Sequence, residues 1–149
     1  MPAEFKILNC DHAAYVVSSL PDALLFWVEC MGAKVVRTAT ARGVALANIT
    51  GVPEGAEADT AMIEIAGQRI ELLEYRGVSP SGNRVHRPFD AGAMHVALNV
   101  DDVNAALSAV GKYGYRSQGT PHKGTSGATL IYVVGPDGAT IEFMQPPAA

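Results

Sequence analysis

The chain has 149 residues, about one domain's worth, and a chain of this length buries about 68 to 70% of its unfolded surface on folding. Hydrophobic residues make up 48% and charged residues 17% of it, which excludes disorder caused by low hydrophobicity and high charge. The net charge is −4 and there is no basic run of the kind that binds phosphates, so nucleic acid is excluded as a predicted partner.

The sequence opens with a predicted strand over residues 5–17. An amphipathic helix is predicted over residues 23–31, with Pro21 before it and Gly32 directly after it. Residues 23–28 of this helix form the longest apolar stretch, six residues where a membrane-spanning helix needs about 20. Because the N-terminus also lacks the pattern of a signal peptide, we expect a soluble cytoplasmic protein with no membrane partner.

Only β segments are predicted between this helix and residue 76. They are strands at residues 34–38 and 44–49 and a hairpin at residues 62–75. The order is strand, helix and then strands, which we interpret as a βαβββ module covering residues 1–76.

The second half of the sequence repeats this order. A strand at residues 93–100 is followed by a helix at residues 103–113, which Asp102 caps. Three more strands complete a second βαβββ module covering residues 93–149. They are predicted at residues 115–118, 130–134 and 140–145. Residues 77–92 have the composition of a linker, and we expect the two modules to form a single α+β domain.

Two histidines and two glutamates occupy matched places in the two modules: His12 corresponds to His95, and Glu71 to Glu142. Strand alternation places the side chains of His95, Glu71 and Glu142 opposite the apolar core faces. Each of them alone would more often be a structural or solvated residue, so the symmetry carries the prediction. If the modules pair about a pseudo-twofold axis, two imidazoles and two carboxylates converge and neutralise one divalent ion. The ion would keep one or two positions open, which favours catalysis; nickel, cobalt, manganese, iron and zinc are all compatible.

The sequence resembles the vicinal oxygen chelate superfamily, which includes glyoxalase I, methylmalonyl-CoA epimerase, extradiol dioxygenases and the fosfomycin and bleomycin resistance proteins. The resemblance rests on segments spread over nearly the whole chain, at residues 11–15, 26–32, 70–74, 94–102 and 136–143. It implies a glyoxalase-like fold in which the two modules pair into a curved mixed sheet that cups one metal ion. It also implies a homodimer, with sites built within one chain or across two.

Subgroup features within that superfamily point in two directions. The set His12, Glu71, His95 and Glu142 is that of glyoxalase I, whereas residues 70–73 and 11–15 look closer to the epimerase. Val16 and Tyr75 stand where glyoxalase I usually carries an Arg and an Asn that serve glutathione binding. The substrate therefore stays open, and glutathione is not assigned to it.

The resemblance implies a lyase or isomerase that binds a small carbonyl compound or thioester on the metal and moves a proton at the adjacent carbon. Glu142 is the predicted base and Glu71 its partner on the other side of the pseudo-dyad. Two alternatives remain. An iron-dependent dioxygenase is disfavoured by Glu71 as a fourth ligand, and a non-catalytic resistance protein that binds a drug is disfavoured by the presence of all four ligands.

Substrate-binding residues are predicted from two polar segments. His122 and Lys123 lie in a glycine-rich stretch, residues 119–127, and could contact an anionic group of the substrate from a mobile flap, although a solvated loop is the more usual meaning of such a stretch. A weaker anion-site candidate in the linker consists of Arg84, His86 and Arg87.

Overall fold

A computed structural model describes residues 5–79 and 86–148. These residues form two compact units that meet in sequence between Val78 and Ser79. Each unit combines helix with a mixed sheet of parallel and antiparallel strands, so the predicted α+β class is confirmed. No helix within the described ranges is long and apolar enough to cross a membrane.

The first unit is a four-stranded sheet with two helices. Its elements are β1 (Ala13–Val16), α1 (Leu20–Leu24, continued by a π-helical segment, Leu25–Cys30), β2 (Lys34–Arg42), α2 (Gly43–Thr50), β3 (Glu57–Ile65) and β4 (Gln68–Arg76). The strand order is β1-β4-β3-β2. β1 runs parallel to β4 and the other pairs are antiparallel, so the order strand, helix, three strands is present with one added helix.

The apolar core of this unit lies on the face of the sheet that α1 contacts. Ile70 and Leu72 of β4 are fully buried there. Trp27 is 2% exposed and stacks on Tyr15, the register partner of Leu72, with ring centroids 6.0 Å apart. Trp27 is thus a packing residue on this face, and Glu71, between Ile70 and Leu72, projects from the opposite face of the sheet.

Helix α1 begins earlier than the predicted residue 23. The Ser19 side chain accepts a hydrogen bond from the Asp22 amide at 3.3 Å, and Pro21 lies in the first turn, where its missing N–H costs nothing. The chain leaves the helix through Gly32, whose φ of 74° suits glycine.

Two strand predictions in this unit are wrong. The strand expected at residues 44–49 is α2, enclosed by Gly43 and Gly51, whose φ angles of 69° and 75° interrupt an extended backbone. The Thr50 hydroxyl donates to the Leu46 carbonyl at 2.8 Å, so the side chain that ends α2 bonds to the preceding helical turn and not to a partner strand. The strand expected at residues 5–17 is limited to Ala13–Val16, because the ladder with β4 spans only these four residues.

The second unit is a five-stranded sheet with one helix. Its elements are β5 (His95–Asn99), α3 (Val103–Gly111), β6 (Arg116–Ser117), β7 (His122–Lys123), β8 (Thr129–Val134) and β9 (Thr140–Gln145). The order is β5-β9-β8-β6, β7 also pairs with β8, and β5 is parallel to β9. The Asp102 side chain caps α3 by accepting from the amides of Asn104 and Ala105, as predicted.

Three sequence predictions about this unit need comment. Strand β9 has its predicted bounds. The flap expected at residues 119–127 contains a short strand, β7, paired with Leu130 and Thr129 of β8, because its backbone completes a ladder there. Of the predicted linker, residues 80–85 lie outside the described residues, and Arg84 is among them.

Candidate metal centre

Parallel strands β1 and β4 place the first His and Glu side by side. Ala14 is the register partner of Glu71, and His12 lies two residues before Ala14, so both side chains project from the face opposite α1. The His12 Nε2 and Glu71 Oε2 atoms are 3.3 Å apart, with the side chains 32% and 20% exposed. The pair is thus partly desolvated and still reachable by an ion.

Asp11 fixes the orientation of the His12 ring. Its Oδ1 atom lies 2.7 Å from His12 Nδ1, and this hydrogen bond is the main cause that holds the pKa of Asp11 below its ordinary value. An ionised carboxylate only accepts, so Nδ1 carries the hydrogen and Nε2 is the ring nitrogen that faces Glu71. A cation between Nε2 and the Glu71 carboxylate would contact both across their separation of 3.3 Å.

The second unit repeats this arrangement on strands β5 and β9. Ala97 is the register partner of Glu142, and His95 again lies two residues before the partner. His95 Nε2 and Glu142 Oε2 are 3.2 Å apart, with the side chains 38% and 15% exposed. The correspondence of His12 with His95 and of Glu71 with Glu142 therefore extends from sequence to strand register and atomic distance.

Tyr132 is a neighbour of this second pair that sequence reasoning missed. It is the register partner of Glu142 across β8 and β9. Its hydroxyl lies 3.4 Å from His95 Nε2, and the two rings are 4.8 Å apart. Burial, and secondarily the charge of Glu142, raises the pKa of Tyr132 above its ordinary 10.0. Strand alternation could have found it, since Tyr132 falls between Ile131 and Val133, which are buried on the other face.

Both His–Glu pairs have the spacing that metal ligation needs. Two ligand atoms that each lie about 2.1 Å from one ion, at an angle of about 100°, are about 3.2 Å apart. The observed separations of 3.3 and 3.2 Å match this value. Each unit supplies two of the four predicted ligands, and no group of three or more His, Cys, Asp or Glu side chains with metal-binding spacing occurs in residues 5–79 and 86–148. That all four residues bind one ion stays a prediction.

The two predicted substrate-binding residues, His122 and Lys123, project from opposite faces of the sheet. His122 pairs with Leu130, which shares a face of β8 with Tyr132, so His122 projects from the face that carries Glu142. Lys123 projects from the other face because it is the next residue along the strand. Both side chains are exposed. Their contact with a substrate stays a prediction, and the register favours His122.

In the weaker anion-site candidate of the linker, Arg87 already has a partner. Arg87 forms an ion pair with Asp90, with Nη2 and Oδ1 2.8 Å apart. This contact raises the pKa of Arg87 and lowers that of Asp90. Its guanidinium is therefore already paired within its own turn.

A cavity of about 610 Å³ in the first unit lies beneath the start of α1. Its charged side chains all have partners: Arg76 contacts Asp59 at 2.9 Å, and Glu74 accepts from the Leu20 amide at 2.7 Å. Asp59 and Glu74 are register partners on the α1 side of the sheet. The cavity is thus on the face opposite Glu71 and contains none of the predicted ligands.

Known proteins resemble the chain in both sequence and fold. A 2-epi-5-epi-valiolone epimerase from an Actinomyces species is 32% identical over 146 residues, which cover 92% of this chain and 79% of that protein. A glyoxalase family protein from Bacillus cereus superposes with a TM-score of 0.85 at 24% identity, covering 98% and 99% of the two chains. The trypanothione-dependent glyoxalase I of Leishmania major gives 0.60 at 23% identity, over 92% and 86%. Residues 9–143 match the Glyoxalase/Bleomycin resistance protein/Dioxygenase superfamily, and the chain belongs to that superfamily.

Proposed function

We propose that this protein is a divalent-metal-dependent isomerase that epimerises a small carbonyl compound by moving a proton at the carbon next to the carbonyl. The observation that carries this proposal is the pair of His–Glu contacts at matched register positions, 3.3 and 3.2 Å long. The relative that is named an epimerase favours epimerisation over the other reactions of the superfamily. A lyase of the glyoxalase type would use the same proton movement.

The ion would be held by His12, Glu71, His95 and Glu142. Nickel, cobalt, manganese, iron and zinc all suit this mixed nitrogen and oxygen set. When bound, the ion acts as a Lewis acid that stabilises negative charge on the substrate oxygen.

The two carboxylates would exchange protons with the substrate carbon. Inversion of a carbon requires that one group removes a proton from one side and another group delivers a proton to the other side. Glu142, 15% exposed, is the proposed base, and Glu71, 20% exposed, is its proposed counterpart.

The name of the relative also suggests a substrate class, polyhydroxylated cyclic ketones. Such a ketone carries a hydroxyl on the carbon next to the carbonyl, and its two adjacent oxygens fit an ion with two open positions. We further propose that the protein forms a homodimer, as the family resemblance implies.

The test is the exchange of a proton of 2-epi-5-epi-valiolone for deuterium in deuterated water, which NMR detects. Protein purified without added metal is first analysed for its elements and then supplied with each candidate ion. We expect bound metal and deuterium incorporation in the wild type, and loss of both in His95→Ala and Glu142→Ala. Glu64→Ala removes a glutamate outside the two pairs and should retain both properties. A folded protein that binds none of the ions would contradict the proposal.

A further inference from the structure

We propose that Tyr132 is a substrate-contacting residue, whose phenol hydroxyl donates a hydrogen bond to the substrate oxygen beside the His95–Glu142 pair. This inference rests on the proposed function and adds a residue to it. The observations behind it are the register of β8 with β9, the contact of Tyr132 with His95 and the residue that stands at the matched position of the first unit.

Tyr132 is held against the second His–Glu pair by the backbone. It lies directly across from Glu142, with its hydroxyl 3.4 Å from His95 Nε2 and its ring 4.8 Å from the imidazole. Within the described part of the chain, His95 is the only hydrogen-bond partner of this hydroxyl. The side chain is half-buried, where a phenol hydroxyl normally keeps a partner.

This hydrogen bond and metal ligation compete for the same nitrogen. A histidine that ligates through Nε2 uses the lone pair of that atom, so Nε2 can neither accept from Tyr132 nor donate to it. The hydroxyl then needs another acceptor, because a half-buried polar group without a partner is costly. A carbonyl or hydroxyl oxygen of the substrate beside the pair is an acceptor of the required kind.

The first unit carries a different residue at the matched register position. The register partner of Glu71 is Met62, and Glu142 faces Tyr132 at the corresponding place. Met62 is buried and its thioether cannot donate a hydrogen bond. The two units are therefore alike in the groups that move protons and unlike in the groups that bind oxygen. This difference would orient the substrate, with its carbonyl oxygen toward the second unit.

Carbon-13 NMR tests the contact directly. Protein labelled at the ring Cζ atom of its five tyrosines is titrated with zinc and then with 2-epi-5-epi-valiolone. The Tyr132 signal is identified as the one missing from Tyr132→Phe. We expect zinc to shift this signal, as the contact with His95 is lost, and the ketone to shift it again. A signal that does not respond to the ketone would overturn the inference, even if the wild type catalyses exchange.

Kinetics and metal binding then separate substrate contact from a structural role. Tyr132→Phe keeps the ring and should retain the wild-type metal affinity and melting temperature. Its kcat for deuterium exchange should fall about 10²-fold, the loss typical of removing one donor to a developing oxyanion, with a smaller change in KM. Tyr113→Phe, at the end of α3, serves as the matched control.

Two further outcomes are decisive. Substrate contact would be contradicted if Tyr132→Phe kept the kcat of the wild type. It would also be contradicted if kcat fell only because the variant had lost bound metal. If the wild type catalyses no exchange but the ketone shifts the Tyr132 signal, the proposed reaction fails while the contact stands.

Discussion

Besides its contact with a glutamate, each of His12 and His95 has a further contact, and the two contacts differ in kind. His12 hydrogen bonds through Nδ1 to Asp11, whereas His95 lies against the ring and hydroxyl of Tyr132. Met94 precedes His95 at the place matched to Asp11, and its side chain is 74% exposed. The predicted strand at residues 93–100 included Met94, but the strand begins only at His95. Of the two histidines, His12 is therefore the one whose ring is oriented by a carboxylate on the preceding residue.

Replacing Asp11 should weaken metal binding without removing a ligand. Asp11→Ala deletes the acceptor of the Nδ1–H group, so the ring of His12 can rotate or change tautomer. Partners of this kind typically contribute about 10- to 100-fold in metal affinity. Chelator competition with zinc measures the loss. Asp101→Ala, which removes an exposed carboxylate before α3, should bind like the wild type, and equal affinity in both variants would show that Asp11 does not position His12.

The strands that carry the two glutamates also hold the helices. Three residues after Glu71, Glu74 accepts from the Leu20 amide at the start of α1 at 2.7 Å. Three residues after Glu142, Gln145 accepts from the Val103 amide at the start of α3 at 2.9 Å. Each bond satisfies an amide that a helix leaves without an internal partner. Each unit thus joins a helix to the strand that carries its glutamate.

Removing either acceptor should destabilise the protein. Glu74→Ala and Gln145→Ala each leave a partly buried amide unsatisfied, which costs about 1–2 kcal/mol in the free energy of unfolding. Urea titration monitored by circular dichroism measures it. Glu74→Gln keeps an acceptor at the same reach and should lose less. Glu54→Ala removes a carboxylate from the exposed turn before β3, and a loss as large in that control would argue against a role for the two helix contacts.

The elements that sequence predicts well are those whose bounds are set by local signals. Asp102 caps α3 through its own side chain, and β9 alternates clearly from Thr140 to Gln145. The strand prediction at residues 44–49 was wrong because β-branched residues favour strands only when a partner strand is present. The candidate site shows the same difference between what sequence predicts and what it does not. Repeat symmetry identified the four candidate ligands, whereas the contact of Tyr132 depends on pairing between β8 and β9, which local periodicity does not give.

Each unit of the internal repeat contains one His–Glu pair, which is half of the proposed ligand set. One imidazole and one carboxylate are two ligands, fewer than the three or four protein ligands that hold an ion in most sites. The two units have the same strand–helix–strand plan and the same offset of two residues between His and the register partner of Glu. The proposed site would therefore need the pairs from two units, within one chain or from two chains.

Variants of the two histidines test whether one ion is shared. His12→Ala and His95→Ala should each abolish zinc binding, and the double variant should lose no more, because all three lack part of one site. Independent sites in the two units would leave each single variant with half of the wild-type zinc. Equal mixing of the unfolded single variants, followed by refolding, adds a further distinction. If sites combine two chains of a dimer, about one quarter of the sites regain both histidines, since half of the dimers are mixed and each has one intact site. Sites built within one chain regain none, and elemental analysis with the exchange assay measures both outcomes.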